Sequence, residues 1–250
     1  IMSEACIRAA LDEDMRICLI RVVYGRAGQD RPPEGVQRRF ADASVERALR
    51  DVEELWTRYA DHERVRVGIA PHSVRAVAPE WLEPIASFAA RRHLPLHMHV
   101  AEQPKEIESC LAETGKRPVE LLAEHGVLSP SFVAIHATHL TAAEAELLGK
   151  AGASVCLCPT TERDLGDGLP DVAALYHGGA KLCTGVDSHV LTCPLEDMRA
   201  IELGERLRTT KRVVLRPPGG ESPAEALWRM GSLNGAEACG FSDAGGVLEI

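Results

Sequence analysis

Six short apolar runs punctuate the chain, at Met15–Tyr24, Val65–Ala70, Leu94–Ala101, Phe132–Ala137, Ala153–Cys158 and Ala180–Val186. Each has the length of a strand and is rich in branched or otherwise apolar side chains. Near-continuous apolarity is the pattern of strands covered on both faces, as in a parallel sheet. Helical patterns separate the runs. Val45–Tyr59 carries Val45, Leu49, Val52, Leu55, Trp56 and Tyr59 at helical spacing. Trp81–Ala90 follows Pro79, and Val119–Ala123 follows Pro118. Thr141-Ala-Ala-Glu144 is a capping-box pattern that opens a helix over Ala142–Lys150. Ser222-Pro-Ala-Glu225 opens another, with Pro in its first turn, predicted to end near Gly240. Asp171–Tyr176 and Leu195–Leu207 complete the set.

Strand–helix alternation means an α/β protein, either an open doubly wound sheet or a closed (β/α)8 barrel. No glycine-rich phosphate loop is present, since Gly25-Arg-Ala-Gly28 lacks the dinucleotide spacing. The titratable residues favour the barrel. Run after run ends in them: His72 with Ser73 and Arg75, then His97, His99 and Glu102, then His136 and His139, then Glu162, then Asp187 and His189. Chemistry drawn from the carboxyl ends of successive strands is the barrel arrangement, whereas an open sheet gathers function at one switch point. Six visible strands leave a barrel two short. The chain also starts inside a helix-like run, Ile1–Leu11, and stops as a strand begins at Gly246–Ile250. Both ends read as cut, as in a fragment of a longer protein.

Composition narrows the function. Of 250 residues, 45% are hydrophobic and 4% aromatic, so the core is built from Ala, Val, Leu and Ile. A balance of 28 basic to 37 acidic residues argues against a general nucleic-acid binder, which needs a basic face. No stretch approaches the roughly 20 apolar residues of a membrane helix. Several of the eight cysteines sit inside apolar runs, and the expectation is buried free thiols in a reducing cytoplasm. Cys156-x-Cys158 has no second pair beside it and is a weak metal signal.

A single His at a strand end is commonly a hydrogen-bonded structural residue, and an Asp after a strand is commonly a cap or turn residue. His139 and His189 are read that way. The joint occurrence of His99, Glu102, His136 and Asp187 at equivalent strand ends is different. Neutral His and ionised Asp are ligands that Zn²⁺ prefers, and a Glu nearby can shuttle protons. In His97-x-His99 both side chains point to one face of a strand. Either both bind one metal, or His97 lies one layer deeper and only His99 reaches it.

These residues, taken with their neighbours, resemble the amidohydrolase superfamily and, within it, the formimidoylglutamate deiminases. The resemblance rests on Gly68-Ile-Ala-Pro-His72-Ser-Val-Arg75, His97-Met-His99-Val-Ala-Glu102-Gln103, Ile135-His136-Ala-Thr-His139, Cys158-Pro-Thr-Thr-Glu162 with Leu165-Gly-Asp-Gly168, and Gly185-Val-Asp187-Ser-His189. It implies an incomplete metal-dependent (β/α)8 TIM barrel with strands three to eight present over residues 1–241, and with 242–250 starting a C-terminal strand of a small β-domain. It implies His99 and Asp187 as metal ligands, which favours the deeper-layer reading of His97. Glu102 becomes the general acid/base, His136 the group beside the attacking water, and Asp187 also the acceptor of that water's proton. His72, Ser73 and Arg75 match positions that hold the substrate's glutamate part; the planar guanidinium suits a carboxylate. The implied activity is hydrolytic deamination of N-formimino-L-glutamate with one Zn²⁺ per subunit, iron or manganese being alternatives, in a homodimer. Two departures stand out. The His-x-His of the first strand, which supplies two further ligands, is not in this chain, and Arg163-Asp164 replaces a pattern with Asn at its second position. The rival readings are a deaminase of a cyclic amidine such as a purine or pyrimidine, a metal-free scaffold, and an inactive fragment. A base-binding pocket would want aromatic stacking, and aromatic residues are scarce here.

Overall fold

The computed structural model describes residues 2–188, 191–217, 219–220, 222–243 and 245–246. The strands are β1 (Ile17–Val23), β2 (Val65–Pro71), β3 (Leu96–Val100), β4 (Phe132–His136), β5 (Ser154–Leu157) and β6 (Lys181–Thr184). The helices are α1 (Met2–Asp12), α2 (Val45–Tyr59), α3 (Pro79–Arg92), α4 (Pro104–Thr114), α5 (Pro118–Glu124), α6 (Ala142–Lys150), α7 (Pro159–Leu165), α8 (Val172–His177), α9 (Pro194–Thr209), α10 (Ala224–Met230) and α11 (Leu233–Ala238). All six strands run parallel in chain order, each paired with the next. This is six strands of a (β/α)8 barrel, as the titratable residues at the strand ends lead one to expect.

Successive side chains on a strand point to opposite faces, and the two faces are packed differently. The helix-facing side holds the main core. Ile69, Met98, Phe132, Val155, Leu157 and Leu182 lie there, against helix residues such as Leu82, Ile85, Leu122 and Leu148. The other face carries a smaller cluster of Val133, Cys183 and Ala238, joined by Ile135 and Cys156. Ala238 brings α11 onto this inner face, and Asn234 of α11 donates its side-chain amide to the carbonyl of Leu182 at 2.7 Å.

Four non-glycine residues at or just beyond strand ends adopt the left-handed backbone region: Ala101 (φ 49°), His136 (φ 70°), Ala137 (φ 54°) and Asp187 (φ 55°). Such residues cost energy and cluster at functional sites. Here they turn the chain off the sheet next to the residues singled out for chemistry.

Two features differ from the sequence pattern. Helices α4 and α7 were not predicted, although α4 has Pro at its first position and a left-handed Gly115 as its cap. The single helix expected from Ser222 to Gly240 is two, α10 and α11, broken at Gly231 and Ser232. At Gly231 a Cβ would stand 2.4 Å from Met198 Sδ, so the break lets α9 approach closely. Residues 247–250, where a further strand was expected, lie outside the described residues.

Candidate active site

His136 is the hub of the site. Its side chain is 1% exposed at the end of β4. Nδ1 lies 3.3 Å from Oε1 of Glu162, and Nε2 lies 3.9 Å from Oε1 of Glu102 and 3.9 Å from Oδ2 of Asp187. Two strand ends and α7 thus send carboxylates toward one imidazole. Burial by itself lowers the affinity of this ring for a proton. The Glu162 hydrogen bond, together with the negative charges of Glu102, Glu162 and Asp187, outweighs burial and raises its pKa above the ordinary histidine value.

His99, next to last in β3, stacks on His136 with ring centroids 5.7 Å apart. Its Nδ1 lies 2.8 Å from the carbonyl of His72. An N–H there donates to that oxygen and leaves the Nε2 lone pair free. This backbone-oriented tautomer is the one a metal-ligating histidine adopts. Asp187 stands half-open after β6. Thr161 of α7 braces it from both sides, donating Oγ1 to the carbonyl of Val186 at 2.9 Å and accepting from Ser188 N at 3.0 Å. A neutral imidazole nitrogen and a fixed carboxylate fit a divalent cation, and His99 and Asp187 are the residues of this chain that would hold it.

His97 shares a face of β3 with His99. It is buried, and its Nε2 lies 2.8 Å from the carbonyl of Ala238 in α11. Burial lowers its pKa and keeps the ring neutral, so Nε2–H donates to that oxygen. The ring is therefore engaged with α11 through Nε2.

His72 and Ser73 lie at the end of β2. The His72 ring is 4.8 Å from that of His99 and edge-on to Tyr24 at 5.1 Å. Burial, helped by the neighbouring His99 and Arg75, lowers its pKa to about 4. Ser73 is fully buried and faces His72 Nδ1 at 3.1 Å. Arg75 is partly exposed, with Nη2 3.5 Å from Oε2 of Glu102. His139 is tied to the carbonyl of Asp167 at 2.7 Å, while Gln103 donates to Oδ1 of Asp167 at 3.0 Å. The loop after α7 is thereby stitched to the ends of β3 and β4. His189 lies outside the described residues.

From the sequence, Glu162 is one titratable residue among several at run ends, with no role of its own, and Cys158 carries only the weak metal signal of Cys156-x-Cys158. Among the described residues, His136, Cys158 and Glu162 form a group whose possible ligand atoms all lie within 4.8 Å of one another. The backbone N–H of Cys158 donates to Oε1 of Glu162 at 2.8 Å, so the carboxylate is held from behind and aimed at His136. The Cys-Pro-Thr-Thr-Glu segment was the available signal: Pro159 starts a helix whose first turn places Thr161 and Glu162 under Asp187 and His136.

Imidazoles and carboxylates converge here from the carboxyl ends of parallel strands, the face on which (β/α)8 barrels carry their sites. The comparisons identify the family. The chain belongs to the amidohydrolase family, whose model matches residues 3–250. Members of this superfamily are generally metal-dependent. The chain is 34% identical over 236 residues to the formimidoylglutamate deiminase of Pseudomonas aeruginosa, covering 93% of this chain and 51% of that protein. It is 35% identical over 187 residues to a 5'-deoxyadenosine deaminase of Methanoregula boonei, covering 73% of this chain and 40% of that protein. A solved amidohydrolase structure from Brucella melitensis superposes with a TM-score of 0.88 at 37% identity, over 95% of this chain and 52% of that one. The chain spans about half the length of the curated relatives it matches.

Proposed function

We propose that the full-length protein hydrolyses N-formimino-L-glutamate to N-formyl-L-glutamate and ammonia. The observation that carries this reading is the position of Arg75. Its guanidinium stands 3.5 Å from Glu102, so an anchor for a substrate carboxylate lies beside the residue read as general acid/base. The relative from Pseudomonas aeruginosa with this named activity supports the same substrate.

The bound metal, read as Zn²⁺ with iron or manganese as alternatives, supplies a Lewis acid and lowers the pKa of a coordinated water to roughly 7. This chain's residues do the rest. Asp187 accepts a proton from the attacking water. His136, held by Glu162, orients the oxygen as it reaches the amidine carbon. Glu102 gives a proton to the imine nitrogen as the oxygen adds; the proton held by Asp187 then passes to the same nitrogen, and the remaining proton on the added oxygen returns to Glu102. The C–N bond breaks, ammonia leaves, and the carbon retains the oxygen as a formyl group. Arg75, with His72 and Ser73, holds the remote carboxylate, so binding energy there positions the amidine for attack. The setting we infer is a homodimer in the cytoplasm, a reducing compartment that suits eight free cysteines.

The test is ammonia release from N-formimino-L-glutamate by the full-length protein loaded with zinc. Release is expected, and Glu102→Gln should keep the metal while lowering kcat by about 10²–10⁴. The similarity to a 5'-deoxyadenosine deaminase favours the second reading, a cyclic amidine. Release from 5'-deoxyadenosine and none from the linear amidine would establish that reading instead.

A further inference from the structure

Glu106 lies in the first turn of α4, four residues beyond Glu102. Its side chain is completely buried. One oxygen accepts the backbone N–H of Ala101 at 3.0 Å. That amide belongs to the left-handed residue that turns the chain from β3 toward Glu102. The other oxygen has no hydrogen-bond partner and faces Nε of Arg75 at 3.9 Å; Arg75 Nε is likewise buried and unpartnered. A second nitrogen of the same guanidinium stands 3.5 Å from Glu102. Neither separation is that of a formed hydrogen bond, which would bring the atoms to about 2.7–2.9 Å for a charged pair.

Arg75 is thus shared between two carboxylates and closed on neither. Left with Glu102 alone, the guanidinium would pair with it bidentately. Such a pair would occupy the carboxylate that must move a proton and the cation that must meet the substrate. We propose that Glu106 is a positioning residue: its buried charge holds Arg75 back from Glu102, while its other oxygen fixes the Ala101 turn that aims Glu102. The inference rests on the reading of Glu102 as acid/base and of Arg75 as the substrate anchor. Burial, the largest influence, raises the pKa of Glu106 above the ordinary carboxylate value, and the Ala101 N–H and the Arg75 charge oppose that shift. Placement in the first turn of a helix also favours an anion.

The variant that separates the two jobs is Glu106→Gln. Its amide oxygen can still accept from Ala101, but its charge is gone. The measurements use the full-length, zinc-loaded protein. In a crystal structure of the variant, Arg75 is expected to close on Glu102 to about 3 Å or less. With N-formimino-L-glutamate, kcat is expected to fall at least about tenfold, within the range that general acid catalysis contributes. In an Arg75→Met background the same Glu106→Gln change should alter kcat less than about twofold, because no guanidinium remains to restrain. An equal loss in both backgrounds, or an Arg75 that stays in place in the crystal, overturns the proposal and leaves Glu106 a support for the turn. Should the wild-type protein release no ammonia from this substrate, the proposed substrate fails on its own, and the Arg75–Glu102 distance in the variant still decides the role of Glu106.

Discussion

Replacing Glu162 by Gln removes one charge from behind His136 while keeping the shape of the side chain. Both partners are buried, at 1% and 3% exposure, and their atoms lie 3.3 Å apart. Coulomb's law at that distance gives about 5 kcal/mol for an effective dielectric constant of about 20. This is an upper bound, because the amide oxygen of Gln can still accept from the imidazole and from the Cys158 N–H. A hydrogen bond to a charged group contributes about 1.5–3 kcal/mol net, against about 0.5–1.5 kcal/mol between neutral groups. The difference, about 1–2 kcal/mol, corresponds to a fall of about one pH unit in the midpoint of His136. Burial is the largest influence on this ring and acts in the lowering direction. With Glu162 neutral, its midpoint should therefore drop from above the ordinary value toward or below it.

The sign of the stability effect follows from the same shift. In the wild-type protein the folded pKa of His136 is raised. Its contribution is thus fully present below the unfolded value of about 6.5 and is lost as pH rises through the folded value. Glu162→Gln should abolish that contribution, so the variant should be destabilised more at pH 5.5 than at pH 8. The assay is a histidine NMR titration of the metal-stripped full-length protein, paired with urea unfolding at the two pH values. An unchanged His136 midpoint, or a loss of stability independent of pH, would refute the assignment of Glu162 as the charge that sets the state of His136.

Three further outcomes are expected. Thr161→Val removes the hydroxyl that bonds both neighbours of Asp187; zinc affinity by competition with a chelator should fall about 10–100-fold, as it does when outer partners of metal ligands are lost. His97→Leu strands the Ala238 carbonyl; it should cost about 1–3 kcal/mol in denaturant unfolding and leave zinc content per chain at the wild-type value. Gly149→Ala would put a Cβ 1.9 Å from the Gly178 carbonyl, where α6 meets the turn after α8. A drop in Tm matching a loss of about 1–3 kcal/mol or more is expected, and a wild-type Tm would show that the two backbones do not approach so closely.

The parts of this protein that were legible in its sequence are those governed by local pattern. All six apolar runs became strands in the expected order, and α2 and α6 match their predicted bounds residue for residue. Both helices begin at a side-chain cap, Ser44 for α2 and Thr141 for α6. Boundaries fixed by a cap are local chemistry, and sequence carries them. Ser222 carried the same local signal but not the break nine residues on. At that break Gly231 packs against Met198 of another helix, where a Cβ would clash. No pattern within residues 222–240 contains this contact.

The site divides along the same line. The residue types His99, Glu102, His136 and Asp187 were visible because barrel chemistry sits at strand ends, where sequence order and spatial neighbourhood coincide. What was hidden is the layer that orients them. Glu162 supports His136 from 26 residues away, and Thr161 braces the residues around Asp187 from 25 and 27 residues away. Glu106 looks in sequence like any acidic residue in a first helical turn, yet it is fully buried and set against the charge of Arg75. An acidic residue in a first helical turn reads as ordinary helix electrostatics. Only burial distinguishes it, because a buried carboxylate with an unpartnered oxygen is costly unless a charge stands close to it. The groups proposed to react in this barrel are therefore written as motifs. The groups that set their charge state and aim are written as packing, and emerge only when strand ends and helix starts are placed in one frame.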